Sequence, residues 1–174
     1  MSRRVLVAGI GNVLFGDGAF GVAVAQRLRG QPLPSGVEIL DVGNRALHLA
    51  FALLDPPSAL IVVDTVRRGD RPGTVSILEP SSRAYTEARP TVPDGCGMSL
   101  QSVFGALESL GGAPPPTLVV GCEAASVDEG WGLSPEVQAA LPEAVRVVLR
   151  LARHEVEGAT PEGATPEGAT EVRP

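Results

Sequence analysis

The stretch that decides the fold is VLVAGIGNVLFGDGAFG, residues 5–21 of this 174-residue chain. An apolar run of strand length meets a Gly-x-Gly-Asn turn, an acid follows at Asp17, and a helical pattern then begins. This order predicts a first strand, a loop at its carboxyl end and a first helix. Because ligands of open α/β sheets bind at that edge, Asp17 is a candidate functional residue.

Strand-like runs and helical patterns alternate along the rest of the chain. We expect five strands, at residues 5–9, 37–42, 59–64, 73–78 and 117–121. We expect helices at 18–29, from an Asn44 cap to about Leu54, at 99–110 with Ser99 as cap, and from Ser134 to about His154 with a disturbance at Pro142. This alternation predicts a mostly parallel sheet with helices on both faces, a three-layer α/β/α fold.

The domain is expected to occupy residues 1–154, with a tail at 155–174. The tail repeats Glu-Gly-Ala-Thr-Pro and has no large apolar residue from Glu157 until Val172, so we expect it to be disordered. Within the domain, residues 79–98 read as one long loop rich in Pro, Ser and Gly. Loops of that length in a compact domain are uncommon and often functional.

The bulk composition excludes several classes of protein. A net charge of −6 argues against a nucleic-acid partner, because phosphate binding needs a basic face. Apolar runs stay short of the ~20 residues that span a bilayer, so no membrane association is expected. Two cysteines and no recognisable signal peptide favour a reducing, cytoplasmic location.

Two acids are expected at neighbouring strand ends. Asp64 ends the most buried predicted strand, in Ile-Val-Val-Asp-Thr, and faces the same sheet edge as Asp17. Such a pair suits general acid–base chemistry or a metal site with oxygen ligands. A structural Asp64 that caps the following loop is the alternative.

Cys96 lies just before the helix that begins near Ser99. A thiolate close to a helix N-terminus has a lowered pKa and can bind a soft or borderline metal, although a loop cysteine without a role is an equal alternative. Cys122 reads as a small core residue, and His48 as a partly buried structural histidine. Trp131 fits either a lid residue or a surface anchor.

A nucleotide site is a weaker interpretation of the opening motif. The third glycine of a dinucleotide fingerprint would fall at position 14, which is Leu14. Gly9 and Gly11 are explained as well by a tight turn. A small-molecule or nucleotide hydrolase on a similar sheet is therefore kept as one functional hypothesis.

The ordered set of segments resembles the nickel–iron hydrogenase maturation endopeptidases over about residues 4–153. The resemblance is carried by GIGNVLFGD at 9–17, IVVDTV at 61–66, PGT at 72–74, residues 100–107 and GLSPEV at 132–137. It implies a five-stranded, mostly parallel sheet between helices. It also implies an enzyme that removes a C-terminal extension from the hydrogenase large subunit after nickel insertion, with nickel carried by the substrate precursor.

The same resemblance implies three metal-site positions. Asp64 matches the central Asp of the family. Asp17 matches the first of two adjacent acids in the first loop, and Gly18 stands at the second, where the family has its ligand. Cys96 falls on or next to the family histidine. One reading lets Asp17, Asp64 and Cys96 hold nickel, with Asp17 and Asp64 catalytic. The other makes the protein a non-catalytic assembly chaperone of the same large subunit.

Overall fold

A computed structural model describes residues 3–81 and 98–158, together with the backbone of residues 170–171. The described strands are Val5–Ile10 (β1), Val37–Gly43 (β2), Ala59–Val66 (β3), Val75–Leu78 (β4), Thr117–Glu123 (β5) and Thr170–Glu171 (β6). The α-helices are Phe20–Arg29 (α1), Ala46–Ala52 (α2), Leu100–Ser109 (α3) and Pro135–Glu157 (α4). A short 3₁₀ helix, Gly16–Ala19, joins the first loop to α1.

The strands form one sheet in the order β2-β1-β3-β5-β4-β6. β1 pairs in parallel with β2 and β3, and β3 pairs in parallel with β5. β4 is antiparallel to β5. The predicted mostly parallel five-stranded sheet is therefore confirmed, and two residues of the tail add a sixth strand beside β4. Residues 159–169 and 172–174 lie outside the described residues, so the disorder expected for the tail stays a prediction.

Alternation along the strands divides the core into two layers, as the period of two requires. In β1 and β3, odd-numbered residues such as Val7 and Ile61 pack with α1 and α4. Even-numbered residues of the same strands, such as Leu6 and Val62, pack with α2 and α3. Because β1 and β3 are buried along their whole length, they read as continuous apolar runs in the sequence. The three-layer α/β/α architecture is confirmed.

Gly9 and Gly21 let α1 lie directly on the sheet. A Cβ at Gly9 would fall 2.2 Å from the carbonyl oxygen of Gly21, and a Cβ at Gly21 would fall 2.0 Å from that of Ile10. No side chain fits into such a gap. At these positions the glycines of the opening motif provide close helix–strand packing, beyond the tight turn that the sequence suggested.

Local predictions had mixed outcomes. Ser99 and Ser134 cap α3 and α4 as predicted, with Ser99 in a capping box. The Asn44 cap was wrong: α2 begins at Ala46, its N-cap residue is Arg45, and no side chain caps it. α4 continues through Pro142 to Glu157. No described helix is long and apolar enough to cross a bilayer.

Candidate functional site

The candidate site lies at the carboxyl edge of the sheet, between β1 and β3. From β1 the chain goes to β2 on one side, and β3 then returns to the other side. Such a reversal opens a crevice outside the strand ends, where ligands of α/β folds bind. Asp17 is in the loop that leaves β1, and Asp64 is near the end of β3. The sequence placed both residues at this edge, and the structure agrees.

Asp64 is a buried carboxylate, with 5% of its surface exposed. Its Oδ1 accepts a hydrogen bond of 2.8 Å from the backbone N–H of Thr65. By alternation along β3 its side chain lies on the face that α2 and α3 cover, on the same side as Leu60 and Val62. A buried acid on this edge is costly to maintain without a polar or functional purpose.

Asp17 is more buried still, at 1% exposure, and its carboxylate accepts four hydrogen bonds. Oδ2 accepts from the backbone N–H groups of Ala125 and Ser126, at 2.8 and 3.1 Å. Ser134 donates its backbone N–H to Oδ1 at 2.7 Å and its hydroxyl to Oδ2 at 2.9 Å. These donors all come from the loop between β5 and α4, so Asp17 joins that loop to the loop after β1.

Thr65 links the two acids without bringing their carboxylates together. Its hydroxyl donates to the backbone carbonyl of Asp17 at 2.7 Å, and its N–H donates to Asp64. The Asp17 carboxylate faces the β5–α4 loop, whereas alternation places the Asp64 side chain on the α2–α3 face. The structure therefore brings the two residues to one edge with different surroundings.

A third buried carboxylate, Glu123, lies at the end of β5 and was missed by sequence reasoning. It is 4% exposed, and its carboxylate accepts hydrogen bonds from the backbone N–H groups of Arg68 and Gly69, at 2.8 and 3.1 Å. It thereby fixes the loop after β3. The signal was present, since Glu123 directly follows an apolar strand, as Asp64 does, but the predicted strand stopped at residue 121.

Cys122 is confirmed as a core residue. It is fully buried in the layer under α1 and α4. Burial raises the pKa of its thiol, with further contributions from the charges of Asp17 and Glu123, to about 12. A thiol held in its neutral form is neither a nucleophile nor a good metal ligand.

The remaining candidates lie apart from these contacts or outside the described residues. Cys96 falls within residues 82–97, which are outside the description, so its predicted role stays a prediction. His48 is exposed, and its predicted partial burial was wrong. At Gly18, a Cβ would meet the Asn12 carbonyl oxygen at 3.4 Å and the Phe15 Cβ at 3.5 Å, which are ordinary contacts. The position therefore has room for a Cβ atom.

A nickel ion would need several donor side chains directed at one point. Across residues 3–81 and 98–158, no three side chains of His, Cys, Asp or Glu are grouped to share an ion. The Asp17 oxygens are directed at backbone amides and a serine. The described residues thus do not complete a resident nickel site, and the set of Asp17, Asp64 and Cys96 stays a prediction.

Large apolar side chains are exposed next to this edge. Trp131 is 80% exposed, and Leu14 and Val13 are 46% and 39% exposed. Backbone bonds hold their two loops together: Gly130 N–H donates to Leu14 O, and Gly16 N–H donates to Gly130 O, each at 2.8 Å. Trp131 therefore lies on the surface beside the first loop, whichever of the two predicted roles it has.

Comparison with known proteins gives consistent matches. A family model described as hydrogenase maturation protease matches residues 22–151. The hydrogenase expression/formation protein HupD of Rhodobacter capsulatus is 34% identical over 165 residues, covering 91% of this chain and 77% of HupD. The hydrogenase 2 maturation protease of Escherichia coli is 31% identical over 159 residues, covering 91% and 96%.

A solved structure agrees with the sequence matches. The hydrogenase maturating endopeptidase HybD from Escherichia coli superimposes with a TM-score of 0.72 at 31% identity. The match covers 87% of this chain and 93% of HybD.

Proposed function

Because this chain belongs to the hydrogenase maturation protease family, we propose that it is an endopeptidase that removes the C-terminal extension of a nickel–iron hydrogenase large subunit. Cleavage would follow nickel insertion into the precursor, in the cytoplasm. The metal is then cargo of the substrate. The partner is the large-subunit precursor, with no role for nucleic acid or a membrane.

The observation that carries this proposal is the position of Asp64. A carboxylate that is 5% exposed stands at the switch point of the sheet, within the region that the family model matches. Buried carboxylates in clefts are typical of sites that do acid–base chemistry or hold cations. The structural alternative is that Asp64 caps the Thr65 N–H through Oδ1.

The chemistry would be attack of water on a peptide bond. The substrate's nickel would position or polarise that bond. Asp64 would either take the proton from the water or contact the metal centre of the precursor. A covalent route through Cys122 is disfavoured, because a thiol with a pKa of about 12 supplies almost no thiolate near neutral pH.

The second candidate function is a non-catalytic assembly chaperone that binds the same precursor. Gly18 favours it, since that position carries no acid here although a Cβ atom would fit. The hydrogen bonding of Asp17 also favours it, because a carboxylate that accepts four hydrogen bonds is poorly placed to replace the missing ligand.

The deciding experiment is the intact mass of the large subunit purified from cells with the wild-type gene, without it, or with Asp64→Asn. We expect the extension to be removed in cells with the wild-type gene. It should persist in cells without the gene and in cells with Asp64→Asn. Asp55→Asn is the matched control, because the Asp55 side chain is 90% exposed and contacts Arg4 far from the edge. An unchanged mass in the deletion strain would exclude proteolysis and favour the chaperone.

A gain-of-function variant separates the two candidates further. Gly18→Glu supplies the acid that the family pattern has at this position, into a space with only ordinary contacts. If the wild-type site is degenerate, this variant should cleave the precursor while the wild type does not. If the wild type already cleaves, Gly18→Glu should leave the processed mass unchanged.

A further inference from the structure

We propose that Asp17 is a positioning residue that holds an apolar docking surface for the large-subunit precursor, formed by Val13, Leu14 and Trp131. This rests on the proposed function for the identity of the partner. It assigns Asp17 a task different from metal binding. It also gives Trp131 a place in substrate recognition. Neither the endopeptidase nor the chaperone function described above has so far included this residue.

The hydrogen bonds of Asp17 show what it holds. Ala125 and Ser126 mark the start of the β5–α4 loop and Ser134 marks its end, so one buried carboxylate closes the loop from both sides. Charge-assisted bonds to a carboxylate are stronger than neutral ones, and burial keeps water from competing for them. The loop between these anchors carries Trp131 at its outer turn.

The backbone on either side of Trp131 is loosely surrounded. Trp131 lies between Gly130 and Gly132, and a Cβ at either glycine would meet nothing within 4 Å. Gly132 has a φ of 93°, which favours glycine. The backbone position of Trp131 is therefore held by the Asp17 bonds at the two ends of the loop and by the backbone bonds between Gly130 and residues 14 and 16.

The exposed side chains suit a protein partner better than water. An 80% exposed tryptophan beside two exposed aliphatic residues forms an apolar group next to a candidate active site. Tryptophan at such positions dominates binding energy in many interfaces. This surface adjoins the loop after β1, which lies at the same edge of the sheet as Asp64.

The charges beside Trp131 indicate what the partner segment presents. Asp128 and Glu129 are exposed in the same loop. An apolar surface with an acidic rim is complementary to a segment that combines apolar and basic residues. We therefore assign the occupant as an apolar, basic segment of the precursor, rather than a second copy of this acidic chain, whose net charge is −6.

The docking surface is tested by measuring Kd for the purified, nickel-loaded precursor. Trp131→Ala should raise Kd by at least about tenfold, as expected when a central aromatic contact is removed. Leu110→Ala is the matched control, because Leu110 is 44% exposed at the end of α3 and should bind as the wild type does. Wild-type affinity of Trp131→Ala would overturn the proposal. Binding is measured without cleavage, so a failure of proteolysis does not alter this result.

The role of Asp17 is tested by the single tryptophan itself. Asp17→Asn places an amide N–H against backbone N–H donors, so the fluorescence anisotropy of Trp131 should fall and Kd should rise. At saturating precursor, kcat should stay within about threefold of the wild type. Ser134→Ala removes one of the four hydrogen bonds to Asp17, so it should also lower the anisotropy and raise Kd. This variant replaces Asp17→Asn in the test if Asp17→Asn folds poorly. Unchanged anisotropy with a loss of kcat would overturn the positioning role and favour the metal-ligand prediction.

Discussion

Asp17 and Ser134 are joined by two hydrogen bonds although 117 positions separate them in the chain. The Ser134 backbone N–H donates to one carboxylate oxygen at 2.7 Å, and its hydroxyl donates to the other at 2.9 Å. The same hydroxyl accepts from the Val137 N–H as the cap of α4. One serine therefore connects the start of the last helix to the loop that leaves the first strand.

Ser134→Ala removes the hydroxyl from both of these interactions. We expect the free energy of unfolding to fall by about 1–3 kcal/mol, since a cap is lost and a buried carboxylate loses one donor. Urea denaturation monitored by circular dichroism measures the change. Ser109→Ala is the control, because Ser109 is exposed and bonds only within its own helix, to Gly105. Equal stability of the two variants would contradict the importance of the Asp17–Ser134 pair.

Gly21→Ala tests the close packing of α1 on the sheet. The added methyl would lie 2.0 Å from the Ile10 carbonyl oxygen and 2.3 Å from that of Val63, and both are backbone atoms that cannot move alone. We expect a loss of about 3 kcal/mol or more in the free energy of unfolding. Thermal unfolding should show a large decrease in Tm.

Gly105→Ala is the matched control for that prediction. Gly105 is inside α3, and a Cβ there would meet nothing within 4 Å. Alanine is the better helix former by about 0.5–1 kcal/mol, so this variant should be more stable than the wild type. If both substitutions had the same effect, the packing explanation for Gly21 would fail.

Glu123→Gln tests how the loop after β3 is held. Its carboxylate accepts from both Arg68 and Gly69, and an amide can accept at only one of its two ends. We expect a loss of about 1–3 kcal/mol and faster hydrogen exchange of the Arg68 and Gly69 amides. Glu108→Gln, at an exposed position on α3, should leave exchange in this loop unchanged. Unaltered exchange in Glu123→Gln would show that other contacts hold the loop.

The sequence predicts the layers well and the surroundings of the acids poorly, for a physical reason. Strand and helix patterns are local, so the period of Leu6 or Val62 already places each residue on a face. The hydrogen-bond donors to Asp17 lie 108 to 117 positions away, and no local pattern shows them. From its own loop alone, Asp17 is interpreted as an acid available for chemistry. In the structure its carboxylate oxygens instead accept hydrogen bonds from the β5–α4 loop.

Cys122 gives a prediction that depends on pH. In a Cys96→Ser variant, which leaves Cys122 as the one remaining thiol, Ellman's reagent at pH 8 should label nothing in the native protein and one thiol after unfolding in urea. The reason is a burial-driven pKa of about 12 against an ordinary value of 9.0. Because the folded state keeps its proton over that interval, the free energy of unfolding should fall as pH rises from 9 toward about 12. Cys122→Ala, compared in the same background, should show a smaller fall. Rapid labelling of the native thiol would contradict the burial and the raised pKa together.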